Sequence, residues 1–85
     1  MVIYNIKNTT PEDAILVDRR TSWGNPFIMK TENDRNYVCD QFELYALKRL
    51  IQEPDWLIPL RGKSLICWCA PRRCHAETLM RLANK

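Results

Sequence analysis

Short apolar runs separated by polar stretches predict three strands in this chain. Residues 2–6 combine β-branched and aromatic residues in partial alternation with polar ones, which is typical of a strand. Residues 14–17 form a continuous apolar run bounded by polar residues, as in a strand buried on both faces. A third apolar run leads into a polar turn and predicts a strand over residues 64–69.

Two further segments carry the periodicity of helices. Residues 35–52 follow a stretch of helix-capping residues and end before Pro54, and their apolar positions predict a helix with a broad face packed on a sheet. Those positions are Val38, Phe42, Tyr45 and Leu50, widened by Leu44, Leu47 and Ile51. Residues 75–83 predict a second helix. Trp56 falls in the connector after the first helix, where we expect it to be exposed.

The order strand, strand, helix, strand, helix predicts an α/β fold with a parallel βαβ unit and a C-terminal helix. A helix between residues 14–17 and 64–69 makes those strands parallel neighbours. The 85 residues form a single α/β domain, 1–85, with three or slightly more strands. Because so short a chain buries a small core, and because of the connector tryptophan, we expect a homo-oligomer.

Composition and charge narrow the classes of partner. There is no apolar run of about 18 residues and no basic segment followed by an apolar one at the start, so we expect a cytoplasmic protein without a membrane partner. The net charge of +3 is modest, and the cations cluster instead of forming a long stripe, which makes nucleic acid an unlikely partner. The four cysteines are expected as free thiols or metal ligands, since Cys67 and Cys69 are too close to pair without strain.

Two cationic stretches follow the carboxyl ends of the two strands of the βαβ unit. Residues 18–27 follow one strand and residues 70–75 follow the other, so they meet at the edge where open α/β sheets bind ligands. Gly24 and Pro26 shape the first stretch, and the second opens a helix whose free N–H groups favour an anion. The candidate ligand-binding residues are Arg19, Arg20, Trp23, Asn25, Arg72, Arg73, Cys74 and His75.

These residue types predict a ligand that carries phosphate and a planar base. Arginines neutralise phosphate, and the start of a helix adds donors such as His75. Trp23 would stack on the base and Asn25 would bind a polar edge. The stretches contain few groups for acid–base work, so we expect binding, with no catalytic residue and no cofactor. An enzyme that cleaves or modifies a nucleotide through His75 or a cysteine thiolate remains the alternative.

A zinc site is the third possibility. Cys67, Cys69, Cys74 and His75 are four ligand types within nine residues. Zinc sites usually separate paired ligands by two to four residues, whereas Cys74 and His75 are adjacent and diverge on a helix. We therefore expect no metal, and a zinc-stabilised interaction module stays as an alternative.

Two motifs resemble those of a domain-of-unknown-function family of bacteriophages and bacteria. One is Trp-Gly-Asn-Pro-Phe at residues 23–27, preceded by Arg19. The other, at residues 61–75, reads Arg-Gly-Lys-x-Leu-x-Cys-Trp-Cys-x-Pro-x-x-Cys-His. The resemblance covers roughly residues 16–82 and implies a small intracellular α/β domain, often phage-borne, without an established activity. By analogy with other small phage domains that have basic pockets, we expect sequestration of a nucleotide immune signal, of the cyclic-nucleotide or ADP-ribose type.

Overall fold

A computed structural model describes residues 2–8, 10–70 and 72–85. Pro71, in the predicted turn after the third strand, lies outside the described residues. The elements are β1 (Ile3–Asn5), β2 (Ile15–Leu16), α1 (Arg35–Gln52), β3 (Leu65–Cys67) and α2 (His75–Ala83), with single 3-10 turns at Glu32–Asp34 and Ile58–Leu60. Both helices therefore begin and end at the residues that the sequence pattern predicted.

The three strands form one parallel sheet in the order β1-β3-β2. Leu65 of β3 lies in register with Ile3 on one side and with Ile15 on the other. The predicted α/β class and the parallel pairing of β2 with β3 are confirmed. β3 ends two residues earlier than predicted, because the carbonyls of Trp68 and Ala70 accept hydrogen bonds from the Asn5 side-chain amide at 3.2 and 2.8 Å and do not continue the strand ladder.

The core lies between the sheet and the inner faces of the two helices. Its largest fully buried side chains are Phe42, Leu60, Leu65, Leu79, Val17 and Cys67. Phe42 comes from the middle of α1 and Leu79 from the middle of α2. Sheet and helices thus bury one apolar layer, and the polar loops that follow β2 and β3 lie at its edge.

Part of the predicted inner face of α1 was assigned to the wrong side. Val38 and Phe42 are buried as predicted, but Leu44, Leu47 and Ile51 are exposed by 55%, 43% and 81%. A three-stranded sheet is only about 10 Å wide between its outer strands, so it covers a narrow stripe of a helix of similar diameter. The apolar residues on the far side of α1 remain without a partner in the monomer.

The expected exposure of Trp56 is also wrong, because this side chain is 8% exposed. Its ring meets Tyr45 edge-on at 6.2 Å between centroids. The Arg49 guanidinium lies 4.4 Å from the centre of the ring, which adds a cation–π contact. The connector therefore closes one end of the core, and Trp56 gives no argument for oligomerisation. No helix of the described ranges is both long enough and apolar enough to cross a membrane.

We expect Gly24→Ala to destabilise the protein by about 1–3 kcal/mol, as overpacking does in closely packed sites. A Cβ at Gly24 would lie 2.5 Å from the Arg19 Cα and 2.6 Å from the Asp18 carbonyl oxygen, which are backbone atoms that cannot rotate away. Gly62→Ala is the matched control, because Gly62 has a φ of 73° but open space around its Cα. Its cost of about 1 kcal/mol is conformational. Urea unfolding of both variants tests this, and an equal or smaller loss for Gly24→Ala would contradict the close backbone approach.

Candidate functional site

A cavity of about 410 Å³ lies where the carboxyl ends of β2 and β3 meet the start of α1. We call it the edge cavity. Its polar lining includes Asp18, Arg19, Arg20, Asn25, Arg35, Arg73 and His75, and its less polar lining includes Phe27, Met29, Val38, Cys39, Trp68, Cys69 and Cys74. Residues from both cationic stretches of the sequence thus face one space, as expected for parallel strands with neighbouring carboxyl ends.

The structure brings six of the eight candidate residues to the edge cavity, namely Arg19, Arg20, Asn25, Arg73, Cys74 and His75. Trp23 lies outside the lining and packs against the core, where its indole N–H donates to the Trp56 carbonyl at 2.9 Å. Arg72 also lies outside, with a side chain 68% exposed and its guanidinium 3.5 Å from a Glu32 carboxylate oxygen. The roles predicted for these two residues therefore have no counterpart in the cavity geometry.

Asp18 is a buried carboxylate of the cavity lining, and it orients two neighbouring side chains. Its carboxylate accepts hydrogen bonds from two nitrogens of the Arg20 guanidinium, at 2.7 and 2.9 Å, and one from the Trp68 indole N–H at 3.1 Å. The hydrogen bonds from Arg20 lower the pKa of Asp18 to about 2. Desolvation of the buried carboxylate raises this pKa, and the hydrogen bond from Trp68 lowers it further. Trp68 is consequently fixed in orientation while 53% of it stays exposed.

The lowered pKa of Asp18 predicts a specific acid dependence of stability. An Asp carboxyl ordinarily titrates near 3.8, so the stabilisation is complete above that pH and is lost as the pH falls through about 2. We expect the free energy of unfolding to drop by about 1–2 kcal/mol from this group alone between pH 5 and pH 2. Asp18→Asn cannot titrate and should show a drop smaller by that amount. Urea unfolding across this range tests the difference, and parallel pH profiles for the two proteins would contradict it.

The cavity arginines differ in how their charge is compensated. Arg20 pairs with Asp18, Arg35 with Glu32, and Arg73 with Asp40, each at 2.7 to 2.8 Å. The Arg19 guanidinium donates instead to the backbone carbonyls of Asn25 and Phe27, both at 3.3 Å. Within the described ranges no carboxylate lies within ion-pair distance of it. Arg19 is therefore the cavity cation whose full charge is left for an incoming anion.

His75 and Cys74 are committed to internal contacts. The His75 Nε2–H donates to the Val17 carbonyl at 2.6 Å, and Nδ1 lies 3.3 Å from the Cys74 sulfur. Burial lowers the pKa of His75, so the ring is neutral at physiological pH. The hydrogen bond to Cys67, together with burial, raises the pKa of Cys74, which is only 3% exposed. With its donor nitrogen occupied, His75 is poorly placed to donate to a phosphate, and Cys74 is a poor thiolate.

Cys67 and Cys69 lie in different surroundings. The Cys67 sulfur faces Cys74, and hydrogen bonds from the Cys74 thiol and the following backbone N–H groups lower its pKa. Cys69 lines the cavity together with Arg35. Among residues 2–8, 10–70 and 72–85, no three His, Cys, Asp or Glu side chains converge as metal ligands. The zinc-stabilised alternative thus gains no support from the geometry.

The sequence reasoning missed two residues that matter to the cavity, Trp68 and Arg35. A signal existed for both. Trp68 directly follows β3 at the ligand-binding edge, and Arg35 opens α1. Because α1 connects two parallel strands and runs antiparallel to them, its first turn lies at the carboxyl edge of the sheet. Phe27, the last residue of the first motif, lies at both places, against the core and in the lining.

Comparison with known proteins finds one similar phage protein and one matching domain family. It is 29% identical over 72 residues to an uncharacterised 12.4 kDa protein of the nrdA-td intergenic region of Enterobacteria phage T4, a match that covers 81% of this chain and 66% of the relative. The chain spans just under two thirds of that relative's length. No solved structure matches significantly. The model of a domain of unknown function, DUF4326, matches residues 4–85. The chain therefore belongs to the DUF4326 family.

Proposed function

We propose that the protein binds a phosphate-bearing nucleotide ligand in the edge cavity. The observation that carries the proposal is the charge of the lining, which contains four arginines and a single carboxylate. That carboxylate, Asp18, is already neutralised by Arg20. Since Arg35 and Arg73 are paired with carboxylates outside the lining, the net positive charge that an entering anion meets comes from Arg19. It acts in a partly buried space, where charge-assisted hydrogen bonds are strongest.

Arg19 is the proposed phosphate anchor. Its two contacts are to neutral carbonyls at 3.3 Å, which position the guanidinium without cancelling its charge. The carbonyls belong to Asn25 and Phe27, and the Asn25 side chain in turn accepts the Phe27 N–H at 2.9 Å. The loop thus holds Arg19 in place before the ligand arrives, which reduces the conformational entropy lost on binding.

Trp68 takes the stacking role that the sequence suggested for Trp23. Its ring lines the cavity and is 53% exposed, while its N–H is held by the Asp18 carboxylate at 3.1 Å. Stacking of a base on an aromatic ring is worth about 1–3 kcal/mol. Because the cation and the ring face the same cavity, one ligand with a phosphate and a planar base can use both.

The size of the cavity and the state of its titratable groups favour sequestration of a small nucleotide. A volume of about 410 Å³ lies in the range of small-molecule sites. His75 is neutral and hydrogen-bonded through its N–H to Val17, so it is not available as an acid. We extend the proposal to capture of a nucleotide signal of host defence, of the cyclic-nucleotide or ADP-ribose type, and the similarity to a phage protein is consistent with that setting.

One incubation separates binding from turnover. The protein is mixed with AMP, cyclic AMP and ADP-ribose in turn, freed of unbound ligand, and denatured by heat, after which the released small molecules are identified by mass spectrometry. The proposal predicts that one of these nucleotides is recovered intact at up to one per chain, and that Arg19→Gln retains much less of it. Retention of none of them, or equal retention by the variant, would contradict the proposal.

A second candidate is an enzyme that modifies the nucleotide through Cys69. The observation in its favour is the position of the Cys69 thiol, a potential nucleophile, in the cavity lining beside Arg35. Recovery of an altered nucleotide in the same incubation would support it. In that case Cys69→Ser should abolish product formation while the protein still retains the substrate, whereas under sequestration the variant behaves as the wild type.

A further inference from the structure

The outward face of α1 carries a row of exposed apolar side chains, which we call the stripe. Tyr37, Leu44, Leu47 and Ile51 are exposed by 66%, 55%, 43% and 81%. A helix packed on a core ordinarily presents polar residues to water on this side. Four large exposed apolar side chains on one face of an 18-residue helix mark an interaction surface, although Asp40 lies between Tyr37 and the other three.

Three of the four stripe residues are placed symmetrically about Leu44, and the fourth, Leu47, has Gln41 at the mirrored position. Tyr37 precedes Leu44 by seven residues and Ile51 follows it by seven, and seven residues are close to two full helical turns. Asp40 and Lys48, both exposed, stand four residues before and after Leu44 and border the stripe. Reversing the direction of α1 therefore exchanges the two apolar ends of the stripe with each other and the acid with the base.

We propose that a second copy of this chain covers the stripe, with the two α1 helices antiparallel about a two-fold axis at Leu44. In this arrangement Tyr37 meets the partner's Ile51, and Asp40 lies at the level of the partner's Lys48. An isologous interface needs such a self-complementary surface. A parallel arrangement in register would place like charges at the same level and align the two helix dipoles unfavourably.

Charge argues for this occupant over a lipid surface. Helices that lie on anionic membranes carry mainly Lys and Arg beside their apolar face. The stripe has Asp40 on its amino-terminal half and Lys48 on its carboxyl-terminal half. That pattern of both signs is complementary to its own reversed copy and gives no net attraction to an anionic surface.

Light scattering coupled to size exclusion, over a hundredfold range of protein concentration, measures the assembly. The wild type is expected to shift from monomer to dimer as concentration rises. Leu44→Glu should remain monomeric throughout, because it places two like charges on the two-fold axis. Ile58→Glu is the matched control, since Ile58 is 50% exposed but lies outside the stripe, and it should dimerise as the wild type does. A wild type that is monomeric at every concentration, or equal loss of dimer in both variants, overturns the proposal.

A charge exchange tests the antiparallel arrangement even if Leu44→Glu fails to fold. Lys48→Asp should raise the dimer dissociation constant about tenfold, because the new carboxylate is repelled by the partner's Asp40. Adding Asp40→Lys should restore the wild-type dissociation constant. Asp40 also accepts a hydrogen bond from Arg73 at 2.8 Å, so thermal unfolding of each variant is measured alongside. A dimer unaffected by Lys48→Asp, or no recovery in a folded double variant, rules out this pairing.

Discussion

Phe42→Ala is expected to destabilise the fold by about 3–5 kcal/mol, as for other truncations of a buried phenylalanine. Phe42 is fully buried at the centre of α1, and its ring lies 5.7 Å from that of Tyr45 and 5.1 Å from that of His75. Native domains are stable by only about 0.05–0.15 kcal/mol per residue, so this loss takes a large share of the stability of an 85-residue chain. It also leaves the His75 ring without the aromatic edge that packs against it.

Urea unfolding followed by circular dichroism measures this loss. Phe42→Leu is the control, because it keeps an apolar side chain of similar volume, and its expected cost is below about 1.5 kcal/mol. If Phe42→Ala is folded and unfolds within 1 kcal/mol of the wild type, the core is not organised around this side chain as described, and the position of His75 does not depend on it.

Arg19→Gln is expected to weaken nucleotide binding about 10- to 150-fold, which corresponds to the loss of a charge-assisted contact of about 1.5–3 kcal/mol. Arg19 is the cavity cation that no described carboxylate compensates, so its removal takes away charge that the ligand uses. The substitution keeps hydrogen-bonding capacity and much of the side-chain length. The fold should therefore be little changed, and thermal unfolding checks this.

Two further substitutions calibrate the Arg19 effect. Lys63→Gln removes the same charge from an exposed turn before β3, at the opposite edge of the sheet, and should change affinity less than about twofold. Arg72→Gln removes an exposed cation beside Glu32, outside the cavity lining, and should fall between the two. Fluorescence or calorimetric titration gives all three affinities. Equal losses for Arg19→Gln and Lys63→Gln would show that general charge, and not the cavity, attracts the ligand.

The fold was largely predictable because its signals are local. The capping residues before Arg35 predict the start of α1, and Pro54 predicts its end. The apolar runs before and after the helix predict β2 and β3. The meeting of residues 18–27 with residues 70–75 follows from the parallel pairing alone. These steps need only the order of the elements and no knowledge of side-chain packing.

The assignment of individual aromatic residues was not predictable in the same way. Trp23 and Trp68 both follow strands at the carboxyl edge of the sheet. The Trp23 side chain packs against the core, because its indole N–H donates to the Trp56 carbonyl. The Trp68 side chain stays exposed, because its indole N–H donates to Asp18. Which partner each N–H reaches depends on the connector after α1, which the sequence pattern left as an exposed segment. The same long-range packing buries Trp56 and leaves the stripe around Leu44 open.

Isothermal titration of the wild-type protein with a nucleoside 5′-phosphate, the matching nucleoside, and inorganic phosphate shows whether the edge cavity binds a nucleotide through both its phosphate and its base. If Arg19 binds the phosphate and Trp68 stacks on the base of the same ligand, one nucleotide of a panel binds at one per chain. It binds more tightly than its nucleoside or inorganic phosphate alone. Its affinity also falls as salt is raised, since the anchor contact is ionic. The account is contradicted if no nucleotide binds, or if the nucleoside alone binds as tightly as the nucleotide.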